Sequence, residues 1–245
     1  MAPYEASVDR VMLGLGGLGH VAVDPDGITI SGPDEAARAA LWDRLGDWAR
    51  GEWFAAQGYI VLRGAAVARD GHGVVLTGGS RCGASITGLV MCLRGWSLLG
   101  DGIVVIDDEG VVESTRPEVV ADADAVAPLP DTLPRRALST GRPRVAVAVP
   151  GASSSPMTHL VRLQPLSAAS TVRLHAIPPD GSLCDAVASG IIRPALASMA
   201  PSLDDLPRPH AWRLLRPTGA TEEIGRAGHP LKVAKAIAHA VEDSA

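Results

Sequence analysis

The stretch VVLTGGSRCGASITGLVMC, from Val74 to Cys92, constrains the fold more than any other part of the chain. A β-branched apolar run, Val74–Thr77, enters a glycine-rich turn, and Ser85–Arg94 leaves it with helical spacing until Gly95 stops it. Strand, glycine turn and helix in that order make an α/β layer structure. The turn also fits the phosphate-cradling template G-x-x-x-x-G-K-[ST] at Gly78, Gly83 and Ser85, with Ala84 in the lysine position. In such a turn, backbone N–H groups and the helix dipole face an anion. The lysine adds the charge that phosphoryl transfer needs. Alanine leaves the cradle and removes that charge. Arg81, inside the turn, is a candidate substitute, although a guanidinium is longer and planar.

A second glycine pattern is a decoy. Gly14, Gly16 and Gly19 spell G-x-G-x-x-G, but His20–Val23 alternates like a strand and Pro25-Asp26-Gly27 then turns. A dinucleotide fingerprint needs a helix after its glycines. This one predicts a glycine-rich β-turn.

The remaining elements follow from periodicity. Residues 1–32 are β-rich, with a hairpin about Pro25-Asp26-Gly27. Residues 33–50 form a helix capped by Ser31 or Asp34, with Ala37, Leu41, Leu45 and Trp48 on its apolar face. Tyr59–Arg63 is a strand joined to Val74–Thr77 by the turn at Arg69–Gly73. Ile103–Asp107 is a buried strand with a short return at Val111–Val112, and Val145–Val149 is another. Residues 114–143 show no period and are expected to be a long loop. Gly151–Pro156 is a turn, and His159–Gln164, Thr171–Ile177 and Ala211–Leu215 are strands. Cys184–Met199 is a helix interrupted by Pro194, residues 201–209 are a linker, and Leu231–Val241 is a final amphipathic helix. The expected division is a small β-plus-helix subdomain at 1–54 and an α/β domain at 55–245.

Composition excludes several functions. A net charge of −5 without a basic stripe argues against nucleic acid. No apolar run approaches the ~20 residues of a membrane helix, and the N-terminal residues lack a signal-peptide pattern. Cys82, Cys92 and Cys184 have no paired spacing, so neither a disulfide framework nor a zinc site is expected, and a reducing cytoplasm fits. The histidines show no H-x₃-H or H-E-x-x-H spacing. Cys82 stands beside Arg81 just before a helix, two features that activate a thiol. It is a candidate nucleophile, with His72 or His159 as base; the alternative is a small apolar residue filling the loop.

The segment from Tyr59 to Ile106 resembles the C-terminal kinase domain of the HPr serine kinase/phosphorylase family, P-loop proteins related to phosphoenolpyruvate carboxykinase. The hairpin lengths, Ser80 in the loop, the Arg94-Gly95 pair and the strand at Ile103 carry the resemblance. It implies a P-loop core of that type with a mixed sheet from about residue 55. It also implies a phosphate site made of Gly78, Gly79, Ser80, Arg81, Gly83, Ala84 and Ser85. Ser85 and Asp101 would stand on the magnesium side, and Asp101 and Arg63 with Cys82 are the candidate catalytic groups. This chain departs from the pattern in four places: Arg63 replaces a histidine, Arg81 a glycine, Ala84 the lysine and Gly102 a second aspartate. The resemblance with these losses implies a degenerate, pseudokinase-type accessory or repurposed tailoring protein. It would act on a peptide or protein in bacterial, peptide natural-product metabolism. Its ligand would be ATP or another phosphate-bearing molecule with magnesium, or it would have none. Two alternatives stay open: an active ATP-dependent serine kinase that uses Arg81 or Arg63, and a non-catalytic scaffold that dimerises.

Overall fold

The structure is a computed structural model describing residues 4–7, 9–127, 129, 133–140, 143–166, 171–178, 202–217 and 230–244. Strands β1 (Tyr4–Ala6), β2 (Val11–Leu15), β3 (Gly19–Asp24) and β4 (Gly27–Ser31) form an antiparallel meander. The decoy glycines fall in the β2–β3 hairpin, where Leu15 pairs with Gly19 and Gly17 takes φ 79.

Helix α1 (Glu35–Ala56) lies on this sheet, its start capped by Asp34, whose Oδ1 accepts the Ala37 N–H at 2.7 Å. Val11, Val21 and Val23 meet Leu41, Leu45 and Ala49, with Trp42 and Trp48 at the margin. The helix runs past its expected end at residue 50 and past the expected boundary at 54. Tertiary packing explains the extension: buried Ala55 joins Val61, Ile103 and Val105, and Phe54 sits edge-on to Tyr59 with ring centroids 5.5 Å apart. That burial outweighs the helix cost of Gly51, about 1 kcal/mol.

Next come β5 (Ile60–Arg69), β6 (His72–Thr77), α2 (Ala84–Cys92), β7 (Ser97–Ile106) and β8 (Val111–Glu113). The expected loop at 114–143 instead contains β9 (Glu118–Asp122), α3 (Ala123–Val126) and β10 (Arg135–Ala137). With β11 (Arg144–Ala148) the two strands form a sheet ordered β10-β11-β9. These elements are three to five residues long, too short for a sequence period to register. The expected turn at Gly151–Pro156 is half strand: β12 (Ser154–Leu166) starts there and pairs Ser154 with Glu113 and Pro156 with Val111. The serines take strand geometry from β8, not from their own propensity. Strands β13 (Arg173–Ala176) and β14 (His210–Pro217) and helix α4 (Pro230–Glu242) complete the described chain. The helix expected at Cys184–Met199 lies outside the described residues.

The central sheet has seven strands in the order β13-β14-β12-β6-β5-β7-β8. Among the described strands of this sheet only β12 with β6 and β12 with β14 pair in parallel, so this is a mixed α/β fold with a mostly antiparallel sheet. Because β12 also pairs with β8, strands β5, β6, β12, β8 and β7 close into a ring. Leu62, Ala66, Val75, Leu99, Val104, Val112 and Leu160 form one core of the ring. Val67, Leu76, Leu98, Val161 and Leu163 form the other, covered by α2 and α4. Among the described residues no helix is long and apolar enough to cross a membrane.

Leu160 is fully buried in the ring, whereas Leu93 is 40% exposed. Leu160→Ala is expected to cost about 2–5 kcal/mol in denaturant unfolding. Leu93→Ala is expected to change stability by less than about 0.5 kcal/mol.

Candidate functional site

The turn after β6 is where the sequence places it, and α2 begins at Ala84. Gly78 has φ 155; a Cβ there would lie 2.5 Å from the Leu163 carbonyl oxygen and 3.0 Å from Cys82 Cβ. Glycine therefore lets the chain leave the sheet tightly against β12. The Cys82 N–H bonds the Gly79 carbonyl at 3.0 Å, and the Thr87 N–H makes the first helical bond to Gly83 at 2.9 Å. Gly83 takes φ 93 and among the described residues no side chain caps the start of α2, which leaves the first N–H groups of the helix without a side-chain acceptor there.

The loop residues divide by exposure. Ser80 and Arg81 are exposed on the lip, Gly79, Gly83 and Ser85 are half-buried, and Cys82 and Ala84 are buried. Arg81 adopts φ 62, left-handed at a non-glycine residue, at a cost of roughly 1–2 kcal/mol. Cys82 is 6% exposed and packs among the core residues behind the loop, as does Ala84 at 7%.

The antiparallel register brings the other candidates to the same end of the sheet. Gly64 pairs with Thr77 on one side and with Gly102 on the other, and Ala65 pairs with Asp101. Arg63 is therefore next to the mouth of the loop, with its side chain exposed and its carbonyl accepting the Thr77 hydroxyl at 2.8 Å.

Asp101 is 1% exposed. Its Oδ2 accepts the Val120 N–H at 2.7 Å and lies 3.6 Å from Arg116 Nη2. Burial pushes the carboxyl above the usual range; Arg116, the Ser85 side chain and the Val120 N–H oppose the shift, and the Asp47 charge adds to it. Ser85 is thus beside Asp101. No aligned hydrogen bond from the serine reaches Oδ1, which is buried without a partner among the described residues. Cys92, on the same helix, is pushed up to about 12 by burial and then by the Asp101 charge, so it remains a thiol. No three His, Cys, Asp or Glu side chains among the described residues converge as a metal site.

Sequence reasoning missed Asp47 and Arg116. Arg116 bridges Asp101 to Asp47 of α1, with Nη1 3.3 Å from Asp47 Oδ1. Asp47 also holds Arg50 at 2.6 Å. In sequence, Asp47 and Arg50 look like an ordinary solvated helix pair, and Arg116 lies in a segment without a period.

At the opposite end of the parallel strands three histidines gather. His159 pairs in register with His210, their rings stacked 5.2 Å apart, and the His72 ring is 6.1 Å from His159. Thr158 Oγ1 donates to the Gly73 carbonyl at 3.2 Å, so the contact with His159 Nδ1 at 2.8 Å uses the ring N–H as donor. Nε2 then carries a bare lone pair, buried and without a partner among the described residues. A separate cavity of about 440 Å³ lies at the far end of α2 against α4, lined by Arg69, Arg94, Trp96, Lys235 and Glu242.

No protein-family model matches the chain, and a comparison with curated proteins found no match. Among solved structures, the HPr(Ser) kinase/phosphatase from Coxiella burnetii aligns over 75% of this chain and 92% of its own, at 13% identity and a TM-score of 0.34. That likeness is too distant to carry an argument.

Gly78→Ala forces the loop away from Leu163 and is expected to lower stability by about 2 kcal/mol or more, read as a fall in melting temperature. His159 is held down to about 4 from 6.5, by burial first and then by the charges of His210 and His72. The unfolded chain therefore takes up a proton near 6.5 that the folded chain refuses until about 4. Stability contributed above that window is lost as pH falls through it, by at most about 3 kcal/mol. Melting temperatures between neutral pH and pH ~4.5 should fall less steeply in His159→Leu than in the natural chain.

Proposed function

We propose that the chain holds the phosphate of a ligand at residues 78–85 without transferring it. It would work as a pseudokinase-type accessory or repurposed tailoring protein on a peptide or protein. The observation that carries this reading is the loop itself. A turn with Ser80 and Arg81 exposed and Gly79, Gly83 and Ser85 half-buried leads into a helix start that no side chain caps among the described residues, with Ser85 beside the buried Asp101. Backbone N–H groups so placed suit an anion. The position that should carry the transfer lysine is Ala84, packed in the core. Without that charge the developing negative charge of a transferred phosphoryl group has no lysine to stabilise it.

ATP is the first ligand to try, because its phosphates match the loop and its hydrolysis reports transfer directly. A peptide substrate and a second copy of the chain are the partners this reading takes forward. The rival reading, an active kinase, is favoured by one observation: Arg63 is exposed at the mouth of the loop, where a cation could act on the outer phosphate.

Calorimetric titration with ATP is expected to give a dissociation constant below ~1 mM, equivalent to more than about 4 kcal/mol. ADP should form no faster than in buffer. Gly83→Val places a β-branched residue at a positive φ and is expected to abolish binding. Affinity weaker than millimolar would overturn the proposal, and metal-dependent ADP release would favour the kinase.

A further inference from the structure

Gly102 leaves a space beside Asp101, and two side chains from elsewhere fill it. A Cβ at Gly102 would collide with Asp47 Oδ2 and lie 3.0 Å from Arg116 Nη2. The backbone there has φ 82, which favours glycine. Asp47 grips the guanidinium with both oxygens, Nη1 to Oδ1 at 3.3 Å and Nη2 to Oδ2 at 3.4 Å. It is braced in turn by Arg50, which lies over the Trp42 ring at 5.2 Å. Arg116 is thus a fixed positive charge, 15% exposed and 3.6 Å from Asp101.

The donors present do not fit a hydrated magnesium ion. Magnesium demands near-octahedral oxygen geometry and usually keeps several waters. Of the two Asp101 oxygens, Oδ2 is taken by Val120 and Arg116, and Oδ1 is buried. A divalent ion at Asp101 would also face the Arg116 charge across a poorly solvated gap.

We propose that Arg116 is the resident cation of the 78–85 site, so that the loop binds the phosphates of its ligand without a divalent metal, with Asp47 of α1 as the positioning residue. This rests on the reading that the loop takes a phosphate-bearing ligand. A planar, permanently charged guanidinium suits phosphate oxygens. The arrangement also makes α1 part of the site, because the residue that orients the cation comes from the helix on the N-terminal sheet.

Calorimetric titration of the full chain with ATP, once in EDTA and once in excess magnesium, decides the matter. The two dissociation constants are expected to agree within about threefold. Arg116→Gln should weaken binding in EDTA by about tenfold or more, while Arg116→Lys, which keeps the charge, should retain metal-independent binding. Asp47→Asn should weaken it by a smaller factor, and serves if Arg116→Gln does not fold. Binding that appears only with magnesium would overturn the inference and leave the loop's role standing. So would an Arg116→Gln protein that folds and binds as the natural chain does. No ATP binding under either condition would overturn the reading of the loop, and this inference with it.

Discussion

Asp101 is a carboxylate placed where water does not reach, and the parts of the structure around the loop are arranged to make that tolerable. Moving an ion into such a site costs several kcal/mol unless other groups replace its solvent. The replacements come from four separate places in the chain. Val120 of β9 gives an N–H, Arg116 gives charge from the segment before β9, Asp47 of α1 holds Arg116, and Ser85 of α2 stands alongside. Because these groups are far apart in sequence, their convergence fixes how α1, α2 and the β9–β11 sheet sit against β7. The electrostatic balance is also incomplete: Oδ1 of Asp101 and Nε of Arg116 are both buried without a partner among the described residues. Unpaired groups of that kind mark a site whose polar potential is not spent on stability alone.

The sequence was most legible where apolar runs are long and bounded by glycine. The strand at Val74–Thr77, the turn at Gly78 and the helix after it are visible because burial on both faces leaves no polar alternation. The glycine pattern near the N-terminus was separable from a nucleotide motif because a strand, not a helix, follows Gly19. Legibility failed where structure is imposed by neighbours. Glu118–Asp122 and Arg135–Ala137 are strands because β11 lies between them, and Ser154–Pro156 because β8 is opposite. The candidate site divides the same way. Ser85 was indicated by its place in the glycine-loop template and Asp101 by the family resemblance alone. Asp47 and Arg116 were not, since an i,i+3 ion pair and an arginine in an aperiodic segment look like ordinary surface until the fold joins them.

Strands β6 and β12 run parallel, so the two ends of this pair have different characters. One end carries the glycine turn after β6 and the cations Arg63 and Arg81; the other carries His72, His159 and His210. Parallel strands put all their carboxyl ends on one side, where loops rather than hairpins must follow. The turn with its chemistry is on that side. The histidine end instead carries a half-buried His72 and an exposed His210 around the buried His159, whose ring stays neutral in ordinary solution.

The closure of the ring through β12 also sets an order of events during synthesis. The four N-terminal strands pair with their immediate neighbours in the chain, and α1 follows at once. That unit can form as soon as it leaves the ribosome. Strands β6 and β8 must wait for β12, whose Thr158 reaches back 85 residues to Gly73. Long-range pairing of this kind is slow. Until it happens, two apolar strand edges stay open to other chains. The nascent protein is thus most vulnerable to aggregation after β8 is made and before β12 arrives, and the β9–β11 insertion between them prolongs that interval.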